Sequence, residues 1–219
     1  MDYEKHQTET RQWLKDASNT FHRLMEPELL KYFDRFHSCE THETELDAEY
    51  DSKYGIDGFL YSGNFAYSLA IRGEFQGNCE RTFTIKECRE TSGTTGYKKL
   101  VQLISSGQLY PEYFLEYYTN EQQDELYCYG IVRTQVLVDV ITSFIRSNEP
   151  HPHIRLCPNT MTEAHSWLYS IDFDYIHQNY GMIYYVSPTL PLLIGKSDNE
   201  RKKRLAERWR EMNGTTTKR

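Results

Sequence analysis

Residues 65–76, FAYSLAIRGEFQ, alternate between two kinds of side chain over their whole length. Tyr67, Leu69, Ile71 and Phe75 fall on one face, and Ser68, Ala70, Arg72, Glu74 and Gln76 on the other. A period of two is the mark of a half-buried strand and excludes a helix. Just before it, IDGFLY at 56–61 ends in Ser62-Gly63-Asn64, a tight-turn signal. The chain is therefore committed early to a β-hairpin. A hairpin is marginal by itself, so the rest must supply partner strands and helices to cover its apolar face.

Composition agrees with a sheet that has a real core. The chain has 219 residues, 38% hydrophobic, 14% aromatic and 26% charged, with a net charge of −7. That length suits one large α/β or α+β domain and buries about 70% of the unfolded surface. Mean hydropathy is −0.73, but the aromatic content argues against disorder. No apolar run approaches the roughly 18 residues of a membrane span. The opening MDYEKHQTETRQW has no apolar segment, so no signal peptide is expected. Cys39, Cys79, Cys88, Cys128 and Cys157 are scattered and odd in number, which reads as a reduced, cytoplasmic protein.

Other segments follow the same logic. Residues 3–15 read as a helix, and a second helix begins near Pro27 with Leu29, Leu30, Phe33 and Phe36 at helical spacing. Residues 40–51 read as an acidic loop or a short edge strand. Strands are expected at 82–86, 112–119 and 125–133, with helices at about 97–106 and 135–146. HIRLCP, SWLYSIDF and GMIYYV read as short strands, and 199–212 as a final helix ended by Gly214. The expectation is an α/β (α+β) domain over 1–198, core about 27–146, with a central mixed sheet flanked by helices. Residues 199–219 form a basic tail with eight basic side chains against three acidic. That leaves the tail at +5 and the remainder at −12.

The chemistry concentrates between Asp57 and Lys86. Asp57 opens the first strand of the hairpin, and Arg72 and Glu74 share a face of the second. Two carboxylates beside a cation are what metal-assisted phosphodiester hydrolysis needs. The acids hold Mg²⁺ or Mn²⁺, and the cation steadies the nucleophile or the phosphate. If one metal is shared, the Asp57 and Glu74 carboxylates lie within about 4–7 Å of each other. The alternative for Arg72 and Glu74 is a plain ion pair on an exposed strand face.

The succession of a helix, Asp57 at a strand start, a strand carrying an acid-x-cation position, then strand, helix and strand resembles the PD-(D/E)XK nuclease-like fold. The resemblance covers roughly residues 27–133. It implies that Asp57 and the acid bind the metal and that the cation assists the water. Ala70 falls where the acid is expected and Arg72 where the lysine is expected. No proline precedes Asp57, and no strand before the Asp57 strand is evident, 44–50 being a poor candidate. Either Glu74 replaces the missing acid, or the site is degenerate and the chain binds nucleic acid or a protein without cutting.

Three further groupings carry less. Thr91-Ser-Gly-Thr-Thr-Gly96 is similar to the phosphate loop of adenylate-forming enzymes, but Lys98 and Leu100 stand where that family has proline and glycine. It reads as the approach to a helix. His37, Cys39 and His42, and His151, His153, Cys157 and His165, lack paired zinc-knuckle spacing and read as scattered polar residues. Tyr110, Tyr113, Tyr117, Tyr118, Tyr127 and Tyr129 read as tyrosines lining a sheet. The expectation is thus a Mg²⁺- or Mn²⁺-dependent endonuclease from a phage or mobile element. Asp57, Arg72 and Glu74 are its catalytic group, with Asp57 and Glu74 as metal ligands. Lys86, Lys98, Lys99, Lys202, Lys203, Arg204 and Arg208 would meet DNA. The alternative is an inactive nuclease-like module, with a protein partner or a homodimer left open and no membrane.

Overall fold

In a computed structural model of the chain, which describes residues 16–40, 42–74, 80–89, 96–159 and 166–188, the hairpin lies at the centre of a mixed sheet. A helical stretch from 16 runs through a π-helical turn, Phe21–Met25, into α1, Glu26–Leu29. Next come β1 (Arg35–Ser38), α2 (Glu45–Glu49) and a second π-turn, Tyr50–Tyr54. The hairpin is β2 (Gly58–Ser62) and β3 (Phe65–Glu74), followed by β4 (Thr82–Arg89) and α3 (Tyr97–Ser105). Then follow β5 (Tyr113–Thr119), β6 (Leu126–Arg133), α4 (Thr134–Ser147) and β7 (Ile154–Asn159). The last elements are β8 (Ser166–Asp172), α5 (Phe173–Tyr180) and β9 (Ile183–Val186).

The main sheet has six strands in the order β1-β2-β3-β5-β6-β9, and a smaller sheet has the order β4-β8-β7. All pairs are antiparallel except β3 with β5, which runs parallel in the register Arg72↔Glu116. A parallel pair needs a long crossover, and here β4 and α3 lie within it. One face of the main sheet buries Leu60, Leu69, Leu115, Tyr117 and Tyr129 against Phe21, Met25 and Leu29. The other joins Tyr118, Cys128 and Val132 to Phe83 and Ile85 of β4, Leu137 and Ile141 of α4, and Phe173 of α5. This is the α+β class with a central mixed sheet. No helix among the described residues is long and apolar enough to cross a membrane.

Several local expectations need correction. The second helix stops at Leu29, and Phe36 belongs to β1, paired with Leu60. Helical spacing in the sequence gave way to an edge of the sheet: the Asp34 N–H bonds the Tyr61 carbonyl, and the Asp34 carboxylate receives the Gly63 N–H. Residues 45–49 are helical rather than loop or strand, because Thr44 and Asp47 form a reciprocal capping box. The strand of 82–86 extends to Arg89 and leaves the main sheet for the small one. The segment read as the strand SWLYSIDF turns into α5 at Phe173. The alternation of β3 is as expected, with Leu69 and Ile71 on the apolar face. Residues 3–15 and 199–219 lie outside the described residues.

Gly58 is where β1 comes closest to the hairpin. A Cβ there would lie 2.5 Å from the Phe36 ring and 2.7 Å from the His37 carbonyl oxygen. The backbone carbonyl cannot turn away as a side chain can. Gly58→Ala is expected to cost about 1–3 kcal/mol. That would lower the melting temperature by about 2–12 °C. An unchanged melting temperature would mean that β1 does not seat on β2 in this way.

Candidate functional site

Asp57 sits where three elements meet. Gly55, at φ +68°, ends the π-turn Tyr50–Tyr54, and the chain then enters the sheet. The Asp57 N–H donates to the Leu69 carbonyl at 2.9 Å, and its carbonyl accepts the Cys39 N–H at 2.8 Å. Asp57 is thus wedged between the continuations of β1 and β3. Its Oδ2 accepts the Ile71 N–H at 2.5 Å.

Desolvation pushes the Asp57 carboxyl up to about 8; the Ile71 N–H opposes this, Glu40 and Asp51 add to it, and Lys99 opposes it. Burial lowers the Lys99 ammonium below its ordinary value, partly offset by Asp51 and Asp57. Lys99 projects from the first turn of α3, where its Nζ donates to the Ser52 carbonyl at 3.1 Å. Asp51 meets His42 at 2.8 Å. Glu40 keeps an exposed surface, yet partial desolvation and then Asp51 raise its carboxyl. Three carboxyls and one lysine thus act on one another through charge near the start of β2, without the carboxyls converging as a three-ligand set. They come from the β1 end, the π-turn, the β2 start and α3.

Arg72 belongs to a different group. Its Nε lies 3.0 Å from Glu74 Oε1 and 3.7 Å from Glu116 Oε1. Glu116, directly across on β5, has no exposed surface. It accepts from Thr84 of β4 twice, backbone N–H to Oε2 and hydroxyl to Oε1, each at 2.5 Å. Desolvation pushes Glu116 up to about 8, against the pull of Arg72 and Thr84. Burial works against the charge on Arg72 as well, but Glu116 and Glu74 outweigh it and raise Arg72 overall. One guanidinium faces two carboxyls. Glu74 is the closer of the two to Arg72 and is partly exposed, whereas Glu116 is sealed from solvent.

The structure therefore brings Arg72 and Glu74 together and sets Asp57 among other groups. Asp57 stands opposite Ala70, one position beyond the Gly58↔Leu69 pair. Glu74 is four residues further along β3, a rise of about 13 Å. Each carboxyl is turned to its own partner, Ile71 or Arg72. Lys99 takes its place beside Asp57, Lys98 is exposed and Lys86 half-buried. Lys202, Lys203, Arg204 and Arg208 lie outside the described residues. Sequence reading missed Glu116, Glu40 and Asp51, since strand pairing and a π-turn bring them in across the chain. The two histidine groups differ from each other. His153 stacks on Tyr175 and, with Arg155, binds Asp172, which is a structural arrangement. His37 and Cys39 are instead joined by Asp47. Tyr117, Tyr118 and Tyr129 are buried, as sheet-lining tyrosines should be.

No family model, curated protein or solved structure matches the chain.

The Glu116 carboxyl fixes a sign for the pH dependence of stability. Its pKa rises from an ordinary 4.5 to about 8 on folding, so the folded state binds more protons between those values. Stability is then fully present below the unfolded value and declines as pH rises toward 8, by at most about 1.4 kcal/mol per pH unit for one group. Asp57, raised by desolvation to about 8 as well, adds a slope of the same sign and similar size. Melting measured from pH 5 to pH 8 should fall in the wild type, and Glu116→Gln should remove about half of that fall. An equal slope in both proteins would show that Glu116 is ionised in the fold.

Proposed function

We propose that the chain is a metal-dependent phosphodiester hydrolase of nucleic acid with its centre at Asp57, built on a PD-(D/E)XK-like core. The observation that carries this reading is the Asp57 carboxyl itself. It is drawn out of water at a strand start, beside Asp51 and Glu40, with Lys99 the cation at the same place. Like charges crowded around a desolvated carboxyl are relieved by a divalent cation. The donor set is hard oxygen, which suits Mg²⁺ or Mn²⁺, ions that take one or two carboxylates and keep several waters. When bound, such an ion supplies a water of lowered pKa and neutralises charge on the phosphate.

The chain's own residues divide the remaining work. Asp57 would hold the ion, its Oδ2 being oriented by the Ile71 N–H. Lys99, whose ammonium burial weakens, lies where it can steady a phosphate oxygen or take part in proton transfer. Arg72 is occupied by Glu74 and Glu116 and serves the packing of the two sheets. The order of elements supports the reading. A helix, β1, β2 with Asp57, β3, β4, α3 and β5 follow in turn, and β1 supplies the strand before the Asp57 strand. DNA is the proposed substrate and a phage or mobile element the proposed setting, on the basic tail with Lys202, Lys203, Arg204 and Arg208.

A second reading is favoured by Ala70. Opposite Asp57, where the resemblance expects an acid, there is a methyl group, and an inactive nuclease-like module would bind without cutting. Plasmid nicking with Mg²⁺, Mn²⁺ or EDTA separates the two. The first reading expects metal-dependent nicking, reduced about 100-fold or more by Asp57→Asn and by Lys99→Met. Glu74→Ala should still cut. DNA binding without nicking in any metal would decide for the second reading.

A further inference from the structure

We propose that His37, Cys39 and Asp47 form a binding site for a thiophilic divalent metal, Zn²⁺ being the natural occupant, separate from the Asp57 centre. One ligand atom from each residue lies within 4.8 Å of the other two. His37 and Cys39 are two residues apart on β1 and its continuation, so they share a face of the sheet. Asp47 comes from α2, and its Oδ1 reaches His37 Nε2 at 2.9 Å.

The carboxylate is already oriented from behind. Its other oxygen, Oδ2, accepts from the Thr44 N–H at 3.1 Å and the Thr44 hydroxyl at 2.7 Å. A ligand held in this way by an outer hydrogen bond is the usual support of a metal carboxylate. The capping box explains Thr44 and Asp47 by itself. It does not explain why an imidazole and a buried thiol converge on the same carboxylate.

Ligand chemistry selects the metal. Sulfur, nitrogen and oxygen donors together suit Zn²⁺ and exclude preference for Mg²⁺, which takes oxygen alone. Around a tetrahedral Zn²⁺ the ligand atoms sit about 3.3–3.7 Å apart. The three atoms lie within 4.8 Å of one another, with His37 Nε2 and Asp47 Oδ1 at 2.9 Å, so small side-chain rotations bring them to those separations. Cys39 has no exposed surface and Asp47 only 4%, while the His37 side chain is 39% exposed, so the ion enters from the histidine side. Binding would release the Cys39 thiol proton to solvent; the neutral His37 ring would carry its one N–H on Nδ1, leaving Nε2 to the metal in place of its hydrogen bond to Asp47, and a fourth position would be left for water. Because the Cys39 N–H donates to the Asp57 carbonyl, the ion would tie α2 to the strand that carries Asp57.

The test uses the full chain freed of metal by chelation. Titration with Co²⁺ should give one equivalent of binding with an intense thiolate-to-cobalt absorption band, and Zn²⁺ should bleach it. Zn²⁺ should also raise the melting temperature, as any ligand of the native state does, while Mg²⁺ at the same concentration should not. His37→Gln and Cys39→Ser should each remove both effects. His37 is the more exposed, so its variant answers the question if Cys39→Ser fails to fold. Absence of the band in wild type would overturn the proposal. So would a Zn²⁺ shift that persists in His37→Gln, because the metal would then sit elsewhere. Nicking with Mg²⁺ is a separate readout, so this site and the Asp57 centre fail independently.

Discussion

Glu116 has no exposed surface, yet it is a carboxyl in the middle of a sheet. It survives there because it is fully engaged. Two bonds from Thr84 tie β5 of the large sheet to β4 of the small one, and Arg72 approaches from β3. A buried polar group left without partners costs on the order of 1–3 kcal/mol. The chain is therefore held to the arrangement that satisfies Glu116. That arrangement is the parallel β3–β5 pairing with β4 laid over it. Tyr118, two residues on, reinforces it by donating to the Thr82 carbonyl at 2.7 Å.

The same pairing decides what Asp57 can do. With β5 beside β3, the Arg72 guanidinium is drawn away from β2 toward Glu116. Asp57 is left opposite Ala70. The crossover that makes the parallel pair also delivers α3, and with it Lys99, to the mouth of the hairpin. One topological choice thus removes one cation from Asp57 and supplies another. The β1 strand closes the remaining side through the Cys39 N–H, and Asp47 of α2 reaches it through His37.

Much of the fold was readable because it rests on local signals. The period of two in β3, the turn at Gly63, and the apolar faces of α3 and α4 are each fixed by a few adjacent residues. The errors share one cause. Phe33 and Phe36 lie at helical spacing after Leu29, but Phe36 fits opposite Leu60 and joins β1. The acidic run 40–51 has no apolar period, so the helix at Glu45 is betrayed only by Thr44 and Asp47. In both places a contact or a cap outweighed spacing.

The sequence by itself determined the alternation that makes β3 a strand, and it put Asp57 at the start of its hairpin partner. It also determined that Ala70, Arg72 and Glu74 share a face. These follow from side-chain identity and from a two-residue period, which are local properties. Only the tertiary structure decided which carboxyl Arg72 meets, that Lys99 accompanies Asp57, and that His37 and Cys39 find Asp47. Those meetings join residues far apart in the chain. They depend on sheet order and on where a crossover helix lands, and no local period encodes either.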